Sequence, residues 1–279
     1  MTVINSILTT LFDGILWPFR FLGPVWGLTL FSALAGGVLV YIWGKTSNQK
    51  RIKAVKEKLK GHLLEIRIYN EDLLLVTRAM GKLLKSVGFY QFLMFRPLAF
   101  VFVPVLLLLI QLNFRFGYAA PECGKPFAIK VTFDRGTPRE ALDLELKAPP
   151  EVVVETPSLR LARNEEGVPE VAWRAHLVQP GRYSLQFKTP SGLVLEKSFV
   201  ADPHLDKISP RRATAGFLDQ LLYPMEEPLP AESRITAIDI GYPAMPLPLL
   251  GFDWNWVVLF LVVTLIAGFS LKGVLKVEI

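Results

Sequence analysis

The chain has 279 residues, 51% of them hydrophobic, and 31 Lys and Arg against 25 Asp and Glu give a formal net charge of +6. A mean hydropathy of +0.36 and a sequence pI of about 9.4 point away from an ordinary soluble protein. The single cysteine, Cys123, rules out an intrachain disulfide.

Residues 1–20 carry apolar side chains at Val3, Ile4, Ile7, Leu8, Leu11, Phe12 and Ile15, with Asn5, Ser6, Thr9, Thr10 and Asp13 between them. That spacing predicts an amphipathic helix lying in the membrane–water interface. It has neither the basic start nor the small-residue cleavage site of a signal peptide.

Three uncharged runs follow, at 24–43, 97–114 and 254–271, of 20, 18 and 18 residues. A helix needs about 20 mostly apolar residues to cross a bilayer. Trp26, Tyr41, Trp43, Phe116, Tyr118, Trp254 and Trp256 sit at or near the run ends, where aromatic rings anchor at the headgroups. Three transmembrane helices are therefore expected. The second begins at Pro97, where the missing N–H costs nothing, and should kink at Pro104.

Between the first two runs, residues 44–96 hold 12 of the 31 basic residues and four acids, Glu57, Glu65, Glu71 and Asp72. Ile52, Val55, Leu59, Ile66, Leu73, Val76, Met80, Leu83 and Val87 alternate at three and four residues, the period of helices packed along a seam. The reading is an antiparallel coiled-coil hairpin, with arms over 47–69 and 71–86 and a turn at Asn70-Glu71-Asp72. Its net +8 contrasts with −3 for residues 115–253. Short basic loops stay in the cytoplasm. The N-terminus and the 115–253 region are thus expected outside, and the hairpin and the 272–279 tail inside.

The region 121–202 alternates differently. Phe127-Ile129-Val131-Phe133, Leu142-Leu144-Leu146 and the stretches 151–155, 158–163, 171–178, 182–188 and 193–200 read as strands between Pro and Gly turns. Seven short strands in this span argue an extracytoplasmic β-sandwich. The run from Pro180 to Phe187 resembles the strand that bears the tyrosine corner of immunoglobulin-like domains, with Tyr183 at the corner and Trp173 available for the core. Residues 203–253, rich in proline, read as an outer linker with a short helix near 213–223 and a strand near 234–241.

Chemistry is sparse. His62, His176 and His204 lie apart with no partner at metal-ligand spacing, so neither a metal nor a cofactor is expected, and no nucleophile elbow points to an enzyme. Residues that could wet an intramembrane groove are few: Ser32, Gly36, Gln111, Thr264 and Ser270. The basic cluster Lys50, Arg51, Lys53, Lys56, Lys58 and Lys60 predicts attraction to the lipid bilayer or docking of an acidic partner.

The order of elements resembles the Oxa/YidC membrane-insertase superfamily. The stretch from Gln49 to Leu59 is similar to the hairpin after that family's first core span. The stretch from Phe95 to Leu106, proline included, is similar to the second core span of its short archaeal and ER-membrane-complex branch. The resemblance implies an insertase-like or chaperone-like protein without a cofactor, working on nascent membrane proteins or with the ribosome. The chain departs from the family in two ways: its first span has no basic residue, and a β-domain is added before the third. A non-catalytic scaffold whose β-sandwich and hairpin bind protein partners is the alternative. The lack of an N-glycosylation sequon suits a bacterial-type inner membrane.

Overall fold

A computed structural model describes residue 10 and residues 12–15, 17–164, 167–202 and 207–278. Most of the amphipathic stretch expected over 1–20, and His204, lie outside these residues. The chain divides into two compact units, Met1–Gly27 with Ile110–Trp256, and Leu28–Leu109 with Val257–Ile279.

The second unit is helical. Two helices of the chain are long and apolar enough to cross a membrane, α1 (Gly23–Thr46) and α3 (Leu73–Phe116). Between them runs α2 (Gln49–Ile68), and α5 (Trp256–Leu271) is a shorter apolar helix. Helix α2 starts at Asn48, whose side chain accepts from the Arg51 N–H at 3.1 Å. It ends at Tyr69, and Asp72 then caps α3 by accepting from the Leu74 and Leu75 N–H groups at 2.9 and 3.1 Å. These two caps satisfy N–H groups left without intrahelical partners and make the turn a sharp one. Lys82 and Glu65 pair at 3.1 Å across the turn, so α3 doubles back along α2.

Two expectations change here. The second arm was expected to stop near Ser86 and a separate span to begin at Pro97, but α3 is one helix of 44 residues with Pro97 and Pro104 inside it. Apart from Gly88, residues 87–95 are apolar or good helix formers, so the turn-by-turn gain continues through each proline, where only the bond to the carbonyl four residues back is lost. The heptad pattern also fails to close a full seam. Ile52, Val55 and Ala79 are buried, whereas Leu73, Met80 and Val87 are 81, 43 and 44% exposed.

Helices α1 and α5 pack through small residues. A Cβ at Gly36 would lie 2.5 Å from the Thr264 carbonyl oxygen, and one at Gly268 would lie 3.1 Å from Val40 Cγ2. Backbones approach this closely only where side chains are small. Leu28, Phe31, Ser32 and Phe260 are buried beside this contact.

The first unit is built on antiparallel sheets. The larger has the order β3 (Val152–Val154), β5 (Glu170–Leu177), β1 (Pro126–Phe133), β9 (Ile235–Ile240), β8 (Arg211–Ala213), with β4 (Leu159–Leu161) also on β5. The smaller runs β2 (Glu145–Lys147), β6 (Arg182–Lys188), β7 (Val194–Val200). A short pair, β10 (Pro248–Leu249) with β11 (Phe252–Asp253), and the helix α4 (Phe217–Leu222) complete it. Every second side chain of β1, β5 and β7 is buried. Inward residues of both sheets, among them Ile129, Val131, Trp173, Phe187 and Phe199, form one core, as sandwich strands do. Of Leu142-Leu144-Leu146 only the last lies in a strand; Leu142 ends the 3₁₀ turn Arg139–Leu142, Leu144 follows it, and both are still buried.

The region expected as a linker is corrected by this sheet. Strand β9 pairs with β1 from Ile129–Ile240 to Phe133–Ile235, and β8 pairs with β9. Ile235, Ile238 and Ile240 belong to the core, so the β-domain reaches at least residue 240 and not 202. The Tyr183 hydroxyl donates to the Gln179 carbonyl at 2.8 Å, the bond a tyrosine corner makes. A Cβ at Gly181 would fall 2.6 Å from that hydroxyl, which is the reason for glycine there.

Candidate functional site

The residues expected to wet a groove do not all converge. Ser32, Gly36 and Thr264 come together where α1 meets α5, but their polar atoms are engaged. The Ser32 hydroxyl donates to the Leu28 carbonyl at 2.6 Å, and the Thr264 hydroxyl donates to the Ser32 carbonyl at 3.2 Å. Ser270 is exposed and donates to Ile266 of its own helix at 2.8 Å. Gln111 is buried in the other unit, where its carbonyl accepts from Arg115 Nη1 at 3.0 Å. Arg115 is itself 4% exposed and, with Lys207, pairs with Asp13. Burial works to raise the Asp13 carboxyl, but the hydrogen bonds from Lys207 and Arg115 outweigh it and hold the group below its ordinary value.

The basic cluster of α2 is better organised. Lys50, Arg51, Lys53 and Lys58 are exposed and form no ion pair with a described residue, while Lys60 pairs with Glu57 on the same helix at 3.1 Å. Lys56 has a partner no spacing rule would find. The stretch after α5 folds back so that Glu278 meets Lys56 Nζ at 3.1 Å and the Glu278 N–H donates to Gln49 Oε1 at 2.6 Å. Val277 fills the space a Cβ would take at Gly44, at 2.7 Å. The hydrogen bond from Lys56, helped by the field of Lys53 and Lys60, lowers the Glu278 carboxyl. Lys50, Lys53, Lys56, Lys272 and Lys276 surround a depression of about 530 Å³ there, with Glu278 as its acid.

The β-domain holds two further polar groups. Lys197, wholly buried on β7, donates to the Ser209 carbonyl at 2.7 Å and pairs with Glu226; burial pushes its ammonium below the ordinary lysine value. On the larger sheet, Lys130, Arg163, Asn164, Glu170, Arg211 and Asp239 line an open depression of about 840 Å³. Asn164 Nδ2 donates to Glu170 at 3.0 Å, Arg211 Nε lies 3.7 Å from Asp239, and burial raises the Asp239 carboxyl. Among the described residues no group of three or more His, Cys, Asp or Glu could hold a metal ion.

The sequence reading missed Lys45, Arg96, Lys272, Lys276 and Glu278. The basic ones were visible as charges at the ends of apolar runs, but their convergence depends on the fold. No family model matches the chain, and neither a curated protein nor a solved structure matches it.

Proposed function

We propose that the chain is an integral membrane protein of the Oxa/YidC type, acting as an insertase-like or chaperone-like factor for membrane-protein segments. The observation that carries this reading is the course of α3. It leaves a basic antiparallel hairpin and continues without a break into an apolar stretch whose Leu98, Phe100, Phe102 and Val103 are more than half exposed. A basic arm continuous with an uncovered apolar helix suits the capture of an apolar segment as it leaves an acidic ribosomal surface. The charge asymmetry supports a topology with the N-terminus and an immunoglobulin-like β-domain outside, three spans, and the hairpin and tail in the cytoplasm of a bacterial-type inner membrane. The test is reconstitution with a client that has one span and a short translocated tail, with crosslinkers on α2. Faster insertion with crosslinks to the nascent chain or ribosome is expected; unchanged insertion and no crosslinks would sink the proposal.

A second reading rests on its own observation. The Ser32 hydroxyl is taken up by its own helix and the Thr264 hydroxyl by the Ser32 carbonyl across the close α1–α5 contact, and no Asp, Glu, His, Lys or Arg lies in the 24–43, 97–114 or 254–271 runs. A dry helix pair of this kind suits a non-catalytic scaffold whose β-domain and hairpin hold protein partners. Loss of a specific complex, with insertion unaffected, on deleting the hairpin would favour it.

A further inference from the structure

Two basic depressions flank the junction of α1 and α2, and they differ in one respect. The first, described above, contains its own anion, Glu278. The second is about 780 Å³ and lies between the residues 45–51 and 92–97. Its charged lining is Lys45, Lys50, Arg51 and Arg96, with no carboxylate. All four are exposed, and none forms an ion pair with a described residue. Four like charges drawn to one hollow repel one another unless an anion sits among them. The rest of the lining is divided: Thr46, Ser47, Asn48 and Gln49 give it an uncharged polar side, and Phe92 and Phe95 give it an apolar one, at 71 and 64% exposure, at the point where the apolar run of α3 begins.

We propose that this hollow binds the phosphate of one anionic phospholipid headgroup, with the acyl chains lying along Phe92 and Phe95. The combination decides the source of the phosphate. Free phosphate would be served by the cations alone and would leave two large aromatic side chains in water; an RNA base could stack on a ring, but these rings open the apolar run of α3, which hydrocarbon covers and a nucleic acid does not. A lipid uses both the cations and the rings. The Arg51 and Arg96 guanidinium groups can hold phosphate oxygens in pairs, and Lys45 and Lys50 add charge without fixing geometry. Lys45 also lies over the Tyr41 ring, 5.7 Å from its centroid, which holds its stem at the level where α1 meets the headgroups. The site stands whether or not the protein inserts anything; it requires only that α1 and α3 enter a bilayer.

The test uses the full chain in phosphatidylcholine vesicles containing a minority of phosphatidylglycerol, followed by detergent extraction and native mass spectrometry of the retained lipid. The triple variant Lys50→Gln, Arg51→Gln, Arg96→Gln is compared with Arg67→Gln, Arg78→Gln, Lys85→Gln, which removes the same charge farther along the hairpin. Retention of phosphatidylglycerol by the parent and the second triple is expected. The first should lose it on the order of a hundred-fold, since each basic group near an anionic surface contributes roughly a five-fold preference. Equal loss in both triples would mean diffuse attraction and overturn the site. Displacement of the lipid by inorganic phosphate or by a short RNA at equal phosphate concentration would assign the hollow to those ligands and overturn it as well. Phe92→Ser with Phe95→Ser, keeping all four cations, should also weaken retention; full retention there would overturn the proposal, because the rings are what assign the hollow to a lipid.

Discussion

At Gly36 the missing side chain decides whether two helices can meet. A Cβ there would sit 2.5 Å from the Thr264 carbonyl, which is backbone and cannot rotate away; at Gly37 the nearest atom is Leu271 Cδ1 at 3.1 Å, the end of a flexible side chain. Gly36→Ala should therefore cost about 1–3 kcal/mol by forcing α5 outward. Gly37→Ala should stay within about 0.5 kcal/mol. Thermal unfolding in detergent checks the ordering. Lys197 poses the opposite case, a charge kept where a methyl could go. Lys197→Met leaves Glu226 facing the Ser198 N–H, 3.3 Å away, with its cation gone. Removing one partner of a buried pair costs about 3–5 kcal/mol, while replacing both with apolar groups is often neutral. Lys197→Met should destabilise the β-domain strongly, and adding Glu226→Leu should restore most of the loss. Guanidinium unfolding of the two variants measures it. Sequence marked neither role: Gly36 stood out as a groove candidate and not as the point where α5 meets α1, and Lys197, in phase with Leu195 and Phe199 on the inward face of β7, had its partner Glu226 far along the chain.

At the scale of elements, periodicity carried the helices and most strands, and failed where one element continues into another. The α2 turn was legible because Asn70, Glu71 and Asp72 break the pattern and Asp72 is a capping residue. The continuity of α3 through Pro97 was not, because a proline after a charged residue has the same local look whether it opens a helix or sits inside one. The return of the segment 272–278 onto α2 had no local signal at all, since the two are more than two hundred residues apart in sequence and meet through Glu278 against Lys56 and Gln49. Its pH response follows from the sign of the Glu278 shift. The carboxyl is held below its ordinary 4.5 by the docked state, so the pair's contribution is complete above that pH and is lost as the pH falls through the lowered value. The docked segment should persist at pH 5 and loosen in stronger acid, and Glu278→Gln should loosen it at every pH. Amide hydrogen exchange at Val277 and Glu278, whose N–H groups bond Lys272 O at 3.0 Å and Gln49 Oε1 at 2.6 Å, reports both; slow exchange in the Gln variant at neutral pH would contradict the account.

For the whole molecule, the membrane character was open to composition because the long apolar runs act locally. The extent of the β-domain was hidden because sheets are completed by pairing between distant segments. Alternation places strands from 126 to 200, and a boundary at 202 follows naturally from the prolines beyond it. The larger sheet nevertheless takes β9 from the proline-rich region, with Ile240 set beside Ile129. Without β9 the strand β1 becomes an edge, and Ile129 and Val131, both fully buried, lose the wall that Ile238 and Ile240 supply. A row of unpaired backbone groups next to newly exposed Ile and Val side chains is an aggregation site. The truncation then has a definite outcome. Residues 121–253 produced alone should be soluble and unfold in one cooperative transition, because both sheets and their shared core are present. Residues 121–202 should aggregate or remain unfolded, although they contain all seven strands that alternation marks. Circular dichroism with size-exclusion chromatography on the two fragments distinguishes the cases. A folded, monomeric 121–202 would show that β9 is an ornament on a complete sandwich rather than part of its core.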